Sequence, residues 1–409
     1  MLGGWILEMA SGHVETITSI AAKISGSVTD GPVIVRGASG AAVLPLLNSS
    51  LNNTCWSIGG TQNYIVFRDF EMRNTNATKT ASAAFVFGAS VGSSVARGIK
   101  ISNSTDSFWK GIRVVTTPTV AIESCEIANC IGLGVDLAGP SPVKNCWIHN
   151  NGSHGISVSG NIAGPFIHGN LITNNIGDGI NDSRTNTLFT LSPIVITENT
   201  IDGNGSDGYE CTMTSAQTSV ASAIIENNMF TNNTAYNINF SGTGGTDNQI
   251  NALGAKIRNN NTFGGTGPIF PTSLTVATGA QSHDPQYVDK VNGNYMSSSS
   301  TLSGTGYPTA ASLAIGKYSS TYTYNDIGVS QHQDNATDSP GVATLLSRLT
   351  SLRAGYLDNL SGGPVTSLDA AGVRAAIGLA AANLDTQIAT LATESQIPTE
   401  FTSALFSAA

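Results

Sequence analysis

The chain has 409 residues and a formal net charge of −9. Only 11% of its residues are charged, against about 25% in an average soluble domain. An acidic chain without a basic stripe is not expected to bind nucleic acid, and no apolar run is long enough to predict membrane insertion. The hydrophobic content of 40% is sufficient for a core, and the few charges predict a surface of Ser, Thr, Asn and Gly.

One short pattern returns along the chain: a small, amide or apolar residue, one intervening residue, and then a large apolar residue. Successive units begin 21 to 33 residues apart, at Phe70, Ile99, Cys125, Cys146, Asn170, Asn199, Asn228 and Asn261. Asn-rich corners usually follow, at Asn150-Asn151, Asn174-Asn175, Gly203-Asn204 and Asn232-Asn233. Such a period, with short apolar runs, predicts a stack of similar turns that bury one another. The lack of long runs at 3.6-residue spacing disfavours a helical solenoid.

Equivalent residues of a stacked chain should form columns, because neighbouring parallel strands lie about 4.8 Å apart. The sequence therefore predicts a parallel β-helix with an internal amide ladder at one corner. Its predicted members are Asn170, Asn199, Asn228 and Asn261, with Cys125 and Cys146 replacing Asn in the two earlier turns. No metal-ligand spacing connects the five cysteines, and the two in the ladder are expected to be buried free thiols.

With these repeats the chain resembles the right-handed parallel β-helix repeat family, the pectate-lyase-like and tailspike-like solenoids, over about residues 30–330. The resemblance implies an all-β, right-handed parallel β-helix solenoid. This family includes lyases, hydrolases, epimerases and non-catalytic adhesins, so the resemblance alone implies no single activity.

Four segments are predicted in chain order. Residues 1–30 are expected to cap the open end of the stack, because terminal turns must hide their strand edges. Residues 31–265 are the predicted β-helix, residues 266–334 its C-terminal cap, and residues 335–409 an α-helical oligomerisation segment. The start of the chain lacks a secretory signal, which predicts either another export route or the removal of upstream residues. The part of the cap from Asp284 to Gly328 resembles the closing segment of many β-helix proteins.

The C-terminal segment carries two apolar stripes at helical spacing. Val342, Leu345, Leu349, Leu352 and Tyr356 follow the heptad pattern, and a second stripe runs from residue 373 to 391. Neither helix could bury its stripe alone, so the expected partners are sister chains of a homotrimer or a docking site on the cap. The sequences at 348–360 and 373–387 resemble segments near the ends of tailed-bacteriophage fibre and virion proteins.

The candidate site follows from the same columns. Eight residues after successive ladder positions lie Leu133, His154, Asp178, Asp207 and Tyr236, and three residues further on lie Asp136, Ser157, Asn181, Glu210 and Asn239. The second set should face outward, and the residues before it inward. His154, Asp178 and Asp207 would then stack about 5 Å apart along an exposed edge, with Glu210 and Asp182 nearby.

Carboxylates at this spacing share a proton, bind Ca²⁺ or act as an acid/base pair. The catalytic candidates are Asp178, Asp207 and Glu210. The substrate-binding candidates are His154, Asp182, Arg184 and Trp147, the last because alternation points it outward, where it could stack on a sugar ring. No resident metal or other cofactor is expected, apart from Ca²⁺.

A purely structural role for these aspartates is the stronger interpretation. Asp-Gly-Ile is the ordinary corner sequence of such repeats, since Asp accepts local backbone hydrogen bonds and Gly takes positive φ. A pectate-type lyase also needs a basic residue, and only Arg184 and Lys144 are expected near this column. Elimination is therefore the weaker of the two catalytic alternatives.

The predicted function is that of a bacteriophage tail-fibre or tailspike-type virion protein. It would be a homotrimeric adhesin that binds bacterial surface polysaccharide, contacts other virion proteins and resides in the virion or outside the cell. Two alternatives use the same fold: a polysaccharide depolymerase, either a lyase or a glycoside hydrolase, and a purely structural virion protein.

Overall fold

In the computed structural model, the described residues are 5–17, 31–38, 42–50, 54–59, 64–76, 83–88, 93–101, 108–115, 120–160, 162–184, 193–212, 223–241, 255–270, 277–292, 294–297 and 299. The predicted helical segment 335–409 and most of the predicted C-terminal cap lie outside these residues. The described residues include no helix with the length and apolar character needed to cross a membrane.

The described chain folds as a right-handed parallel β-helix, with three sheets that run along its axis. Sheet A contains β1 Ile6–Met9, β3 Val33–Gly37, β6 Ile65–Arg68, β9 Ser94–Arg97, β12 Val120–Glu123, β15 Val143–Lys144, β18 Phe166–His168, β21 Ile194–Thr197, β24 Ala223–Glu226, β27 Lys256–Arg258 and β30 Ala277–Thr278. Sheet B contains β2 Val14–Ile17, β4 Leu46–Ser49, β7 Glu71–Asn74, β10 Lys100–Ile101, β13 Glu126–Ala128, β16 Trp147–His149, β19 Leu171–Thr173, β22 Thr200–Asp202, β25 Met229–Thr231 and β28 Asn261–Phe263.

Sheet C, which carries the candidate site, contains β5 Trp56–Ile58, β8 Ala83–Phe87, β11 Lys110–Val114, β14 Val135–Leu137, β17 Ile156–Gly160, β20 Ile180–Arg184, β23 Tyr209–Thr212, β26 Tyr236–Ser241 and β29 Gly267–Phe270. All pairings within the three sheets are parallel, for example β17 with β20 and β20 with β23. Since β1 and β2 pair with β3 and β4, the stack begins before residue 31. Strands β29 and β30 extend it beyond residue 265.

Strand alternation fills the interior of the stack. The predicted inward residues of sheet C are all fully buried: Val135, Ile156, Ile180, Tyr209 and Ile238. Sheet A contributes a matching row that includes Ile122, Val143, Ile167 and Ile196. Burying each such side chain stabilises the fold by roughly 1.5–3 kcal/mol, which no single turn could obtain without its neighbours.

The corner between sheets A and B is built by a pair of residues in each turn. The first has a left-handed backbone with φ between 50° and 65°: Ser124, Asn145, Gly169, Glu198, Asn227 and Asn259. The second is the ladder residue. Asn199 is typical: its Nδ2 donates to Asn228 Oδ1 at 2.9 Å, and its Oδ1 accepts the backbone N–H of Asn170 at 2.9 Å.

The predicted ladder is confirmed from Cys125 to Asn228 and is wrong at its last member. The Nδ2 of Asn228 donates to Asn260 Oδ1 at 3.0 Å, so Asn260 and not Asn261 occupies the ladder position. Asn261 pairs in register with Met229 and contacts the backbone of His283 instead. The sequence offers two adjacent amides there, and the left-handed Asn259 decides which of them enters the corner.

A second amide ladder occupies the corner between sheets B and C. Its members are Asn151, Asn175, Asn204 and Asn233, all fully or almost fully buried. Their side-chain amides bond to one another at 2.8–2.9 Å. Each follows a left-handed residue, namely Asn150, Asn174, Gly203 and Asn232. This arrangement explains why the sequence repeats Asn-Asn or Gly-Asn at these corners: the first residue turns the chain and the second joins the ladder.

The later part of the described C-terminal cap folds back over the outer face of sheet B. The first two strands of the cap, β29 and β30, continue sheets C and A. The segment that covers sheet B comprises β31 Tyr287–Asp289, the 3₁₀ turn Lys290–Asn292 and β32 Asn294–Ser297, and its two strands pair antiparallel. The Tyr287 hydroxyl lies 2.8 Å from Thr231 Oγ1, and Lys290 Nζ lies 2.5 Å from Asp202 Oδ2. These contacts cover the C-terminal part of sheet B, so they remove that surface from the candidates for ligand binding.

The five cysteines, Cys55, Cys125, Cys130, Cys146 and Cys211, are all buried and free of disulfides. The prediction of buried free thiols at the two ladder positions is therefore confirmed. Cys125 donates its backbone N–H towards Cys146 Sγ at 3.4 Å, and Cys146 donates its own to Asn170 Oδ1 at 2.9 Å. The thiols thus continue the ladder geometry, and each donates to backbone carbonyl oxygens of its own turn and the preceding turn.

We predict that Asn199→Ala lowers the free energy of unfolding by about 3 kcal/mol, because it leaves several buried donors and acceptors of Asn170 and Asn228 without partners. Urea unfolding followed by circular dichroism measures this loss. The matched control is Cys146→Asn, which places an amide where the ladder already accepts one and is expected to preserve or raise stability. Equal losses in both variants would contradict the ladder account.

Candidate functional site

The candidate site lies on the outer face of sheet C, in two adjacent rows. The outer row contains Arg113, Asp136, Ser157, Asn181, Glu210 and Asn239, each in register with the next. The edge row precedes it by three residues and contains Lys110, Leu133, His154, Asp178, Asp207 and Tyr236, as the hydrogen bonds of the adjoining glycines show. The predicted columns from Leu133 to Tyr236 and from Asp136 to Asn239 are therefore confirmed as alignments.

Side chains of the edge row bond to the backbone of the next turn. The backbone N–H of Asp178 donates to His154 Nδ1 at 3.0 Å, and that of Asp207 donates to Asp178 Oδ1 at 3.0 Å. The N–H of Tyr236 donates to Asp207 Oδ1 at 2.7 Å. These three bonds form a third ladder, in which side chains satisfy the backbone donors of a corner.

This ladder draws the two aspartates into the wall of the β-helix. Asp178 is 1% exposed and Asp207 is 4% exposed, so the prediction that they lie along an exposed edge is wrong. The physical reason is that one oxygen of each carboxylate must reach the backbone N–H of the following turn. His154 keeps 29% of its side chain exposed and is the accessible member of the predicted stack.

The His154 ring has two partners on one residue. Its Nδ1 accepts the N–H of Asp178, and it also lies 3.0 Å from Asp178 Oδ2. Nδ1 accepts the first bond when it carries no proton and donates to the carboxylate when it does.

Glu210 brings a third carboxylate to the two aspartates. Oxygens of Asp178, Asp207 and Glu210, the acidic trio, lie within 4.8 Å of one another. Asn181 joins two of them, since its Nδ2 donates to Asp178 Oδ2 at 2.9 Å and to Glu210 Oε2 at 3.1 Å.

Neighbouring side chains occupy the remaining oxygens of the trio. Asn239 Nδ2 donates to Asp207 Oδ2 at 2.9 Å, and Ser241 Oγ donates to Glu210 Oε1 at 2.9 Å. Every carboxylate oxygen of the trio therefore has a donor from the protein. The trio is a hydrogen-bonded cluster that offers accurately placed acceptors on a half-buried surface.

The environment displaces the pKa values of the trio in opposite directions. Burial raises the pKa of Glu210, and the negative charge of Asp178 acts in the same direction. Burial also raises the pKa of Asp207. Burial acts to raise the pKa of Asp178 too, but its contact with the His154 ring and the hydrogen bond from the backbone N–H of Asp207 outweigh it and lower that pKa. Asp178 is thus the carboxylate held ionised, and Glu210 and Asp207 are the ones that accept a proton more readily.

The trio is also the group of described residues that could hold a metal ion. It offers three of the six to eight oxygen ligands that Ca²⁺ takes. A cation would have to compete with the protein donors that already occupy these oxygens. Ca²⁺ binding at the trio is a prediction, and neither polysaccharide binding nor hydrolysis at this face requires it.

Asp182 and Arg184 are not on this face, and the prediction that they bind substrate there is wrong. Strand β20 alternates, so that both point into the interior, where their side chains are 1% and 2% exposed. Arg184 Nε lies 2.7 Å from Asp182 Oδ1, and the Tyr209 hydroxyl donates to Asp182 Oδ2 at 3.1 Å. A charge in an apolar interior requires such a partner, which explains why the two occur together in the sequence.

Trp147 points outward as predicted, but from a different sheet. It belongs to β16 of sheet B, and its ring stacks on His149 with centroids 4.0 Å apart. Its Nε1 donates to Thr173 Oγ1 at 3.4 Å. Trp147 therefore lies on a different face of the β-helix from the acidic trio.

Two features of sheet C were missed by the sequence analysis. Lys110 and Arg113 are basic residues of the edge and outer rows, so the prediction that only Arg184 and Lys144 are basic near this column is wrong. The sequence feature that could have revealed them is the Lys110-Gly111 pair, which aligns with the other residue-Gly pairs of the edge row.

The second feature is the aromatic pair Tyr236 and Phe270, with ring centroids 5.1 Å apart at the far end of the rows.

The fold and the site together define a right-handed parallel β-helix with a polar and acidic outer face on one sheet. Residues 46–192 match the family model described as right handed beta helix region. That segment includes strands β4 to β20 and the first acidic residue of the trio, Asp178. No curated protein matches the chain.

Several solved structures are similar to the chain at low identity. The A-module of the mannuronan C-5 epimerase AlgE6 from Azotobacter vinelandii has 13% identity and a TM-score of 0.41, covering 69% of this chain and 92% of its own. Pectate lyase Pel9A has 11% identity and a TM-score of 0.42, covering 81% and 89%. The catalytic unit of the α-1,3-glucanase from Streptomyces thermodiastaticus strain HF3-3 has 15% identity and a TM-score of 0.31, covering 68% and 63%. Likenesses of this size do not transfer an activity.

We predict that Glu210→Gln raises the unfolding temperature at pH 7 by about 2 °C. The folded pKa of Glu210 lies above its ordinary value of 4.5, so the neutral form favours folding. That contribution is present in the wild type below pH 4.5 and is lost as the pH rises through the folded pKa. The gain from Gln should therefore vanish near pH 4, as calorimetry at both pH values measures.

A control for this effect is Glu123→Gln on sheet A, which removes the ion pair with Arg97 and should bring no gain at pH 7. If Glu210→Gln instead destabilised the protein at pH 7, the hydrogen bonds from Asn181 and Ser241 would be holding an ionised carboxylate, contrary to this account.

Proposed function

We propose that this protein binds a polysaccharide along the outer face of sheet C. The observation that carries the proposal is the pair of rows on that face, in which amide, hydroxyl and carboxylate groups recur from turn to turn in fixed positions. Ser157, Asn181 and Asn239 of the outer row are half-buried, as are Ser159 and Ser183 beside it. A ligand with many hydroxyl groups offers the donors and acceptors that such a surface pairs with.

The hydrogen bonding of the acidic trio supports binding over cleavage. A catalytic acid has to present its proton to the leaving-group oxygen of the substrate. Glu210 is instead directed towards Asn181 and Ser241, and one oxygen of each aspartate is committed to the backbone of the next turn. Glu210, the half-buried member of the trio, would then serve as an acceptor for a sugar hydroxyl, while the buried aspartates hold the surface in place.

A second candidate is a depolymerase that acts at the same place. It is favoured by one specific observation: Asp178 and Glu210 have pKa values displaced in opposite directions, with oxygens within 4.8 Å. Two neighbouring carboxyl groups with separated pKa values are the usual basis for dividing the roles of base and acid. In that mechanism Glu210 would donate the proton, while ionised Asp178 would activate water or stabilise positive charge on the sugar. Among the described residues, Lys110 and Arg113 are remote from the trio, so hydrolysis fits this cluster better than elimination.

The setting proposed for this binding is a bacteriophage tail fibre or tailspike. Its support is the combination of a β-helix with the apolar heptads in residues 335–409, which would join three chains and contact other virion proteins. The polysaccharide would then be a surface component of the bacterial host. A purely structural virion protein is the outcome that remains if no polysaccharide binds.

We predict that the full-length protein retains a host surface polysaccharide without shortening it. Pull-down on the immobilised polysaccharide measures binding, while reducing ends and the ultraviolet absorbance of unsaturated sugars measure cleavage.

Asn181→Ala should weaken binding about tenfold, because it removes an amide between two carboxylates at the centre of the rows. The control is Asn48→Ala, on the outer face of sheet B.

New reducing ends that disappear in Glu210→Gln would establish the depolymerase instead. Absence of binding to surface polysaccharides of the host would contradict both candidates on this face and leave the structural role.

We predict a trimer for the intact chain and a monomer after removal of residues 335–409, because the heptads require partner helices to bury their apolar stripe. Light scattering coupled to gel filtration measures the two masses. An intact chain that stays monomeric, or a truncated chain that still forms trimers, would contradict the assignment of oligomerisation to this segment.

A further inference from the structure

We propose that Trp109, Lys110 and Arg113 form a subsite for an acidic sugar on the same face of sheet C. The chemical class of ligand is a sugar carrying a carboxylate or a comparable anionic substituent, within a polysaccharide that runs along the helix axis. The inference rests on the proposed function and adds to it the charge of the sugar and the end of the face where that charge is bound.

Among the residues that the structure describes, none balances the positive charge of this subsite. Lys110 Nζ lies 2.6 Å and Arg113 Nε lies 3.2 Å from the same oxygen of Asp136. One carboxylate thus serves two cations, which leaves a net charge of +1. Among the described residues of sheet C, the other register partners of these three side chains carry no charge. Lys110 pairs with Ala83, Arg113 with Val86 and Asp136 with Ser157. An anion is therefore attracted to this turn.

Asp136 also holds the two cations in position. Its side chain is 10% exposed and that of Lys110 is 22% exposed, whereas 46% of the Arg113 side chain remains accessible. The contact with Asp136 involves Nε of the guanidinium, which has further N–H donors in a planar fork that matches a carboxylate. Arg113 is accordingly the group that would contact the anion, and Lys110 strengthens the local field.

A tryptophan directly precedes Lys110 in the chain. Trp109 is 37% exposed, and its ring packs on Gly132 of the following turn. A Cβ atom at Gly132 would lie only 3.1 Å from Cε2 and 3.2 Å from Nε1 of that ring. The glycine thus lets the indole lie close to the corner of the next turn. An indole is a broad apolar surface with a polar edge, and the C–H face of a sugar ring can stack on it.

The register fixes the distance between this subsite and the acidic trio. From Arg113 the outer row passes Asp136 and Ser157 before it reaches Asn181. Three steps between parallel strands amount to about 14 Å. An extended sugar chain can span this distance and contact both. Because the trio repels anions while Arg113 attracts them, the acidic sugar is expected at the Arg113 end and neutral sugars near Glu210.

The experiment uses the full chain and bacterial surface polysaccharides that contain hexuronate, each in two forms. One form is native, and in the other the carboxyl groups have been chemically reduced to alcohols, which removes the charge and keeps the sugar backbone. Isothermal titration calorimetry measures both affinities. The wild type should bind the native form about tenfold more tightly than the reduced form, the value expected for one charge-assisted contact.

Variants separate the two parts of the subsite. Arg113→Gln should lose about tenfold for the native form and nothing for the reduced form, because only the charge contact is removed. Trp109→Ala should weaken both forms, since stacking does not depend on the carboxylate. Arg113→Lys retains the charge and should recover part of the native affinity. Arg97→Gln, an exposed arginine on sheet A, is the matched control and should change neither.

Equal affinity of the wild type for the two forms, or native binding that Arg113→Gln leaves intact, would overturn this inference while the proposed function stands. Loss of native and reduced binding together in a folded Arg113→Gln would also overturn it, because the residue would then support the backbone of the face. Binding of neither form by the wild type would overturn the subsite, and it would overturn the proposed function as well if neutral surface polysaccharides of the host are not bound either.

Discussion

The structure depends on one constraint: each turn must hydrogen-bond the corner of the next. Where a chain turns, its backbone donors leave the sheets and still have to be satisfied inside the protein. Here buried amides do this at two corners, with Asn170, Asn199 and Asn228 in one and Asn175 and Asn204 in the other. Because each amide contacts both neighbours, a shift of one turn would break bonds on both sides. The ladders therefore fix the register of all three sheets.

The candidate site uses the same principle with ionisable side chains. His154, Asp178 and Asp207 stand where a third ladder is needed, and each accepts a backbone N–H from the next turn. One oxygen of each aspartate accepts the backbone N–H of the next turn. The other accepts a side-chain amide of the outer row, from Asn181 for Asp178 and from Asn239 for Asp207. The two oxygens of each aspartate are thus divided between the backbone of the corner and the side chains of the outer row. This division holds the trio in place and limits its freedom to act as acid or base.

The sequence could predict the parts of the fold that repeat. The spacing of Asn170, Asn199 and Asn228 predicts the stack, and counting from them predicts the inward row at Ile180 and Tyr209 and the outward row at Asn181 and Glu210. Counting fails where the repeat changes length. The interval from Ile99 to Lys110 is 11 residues, whereas that from Cys125 to Leu133 is eight. A fixed count of eight therefore does not reach Lys110, and the basic residues at this end of sheet C are not predicted.

Side-chain choice at a fixed position is harder to predict than the position. Alternation predicts that Asp182 points inward once Ile180 does, but its charge favoured a surface position. The partner that makes its burial acceptable, Arg184, lies two residues away on the same strand. Asn260 and Asn261 present the same difficulty, because two amides compete for one corner and only the backbone geometry of Asn259 selects between them.

The most direct test of the central claim is a crystal structure of the protein with an oligosaccharide prepared from a host surface polysaccharide that it binds. We predict sugar density along the outer face of sheet C, between Trp109 at one end and Glu210 towards the other, with the anionic group near Arg113. Density confined to the outer faces of sheet A or sheet B, with the rows of sheet C uncovered, would contradict the account.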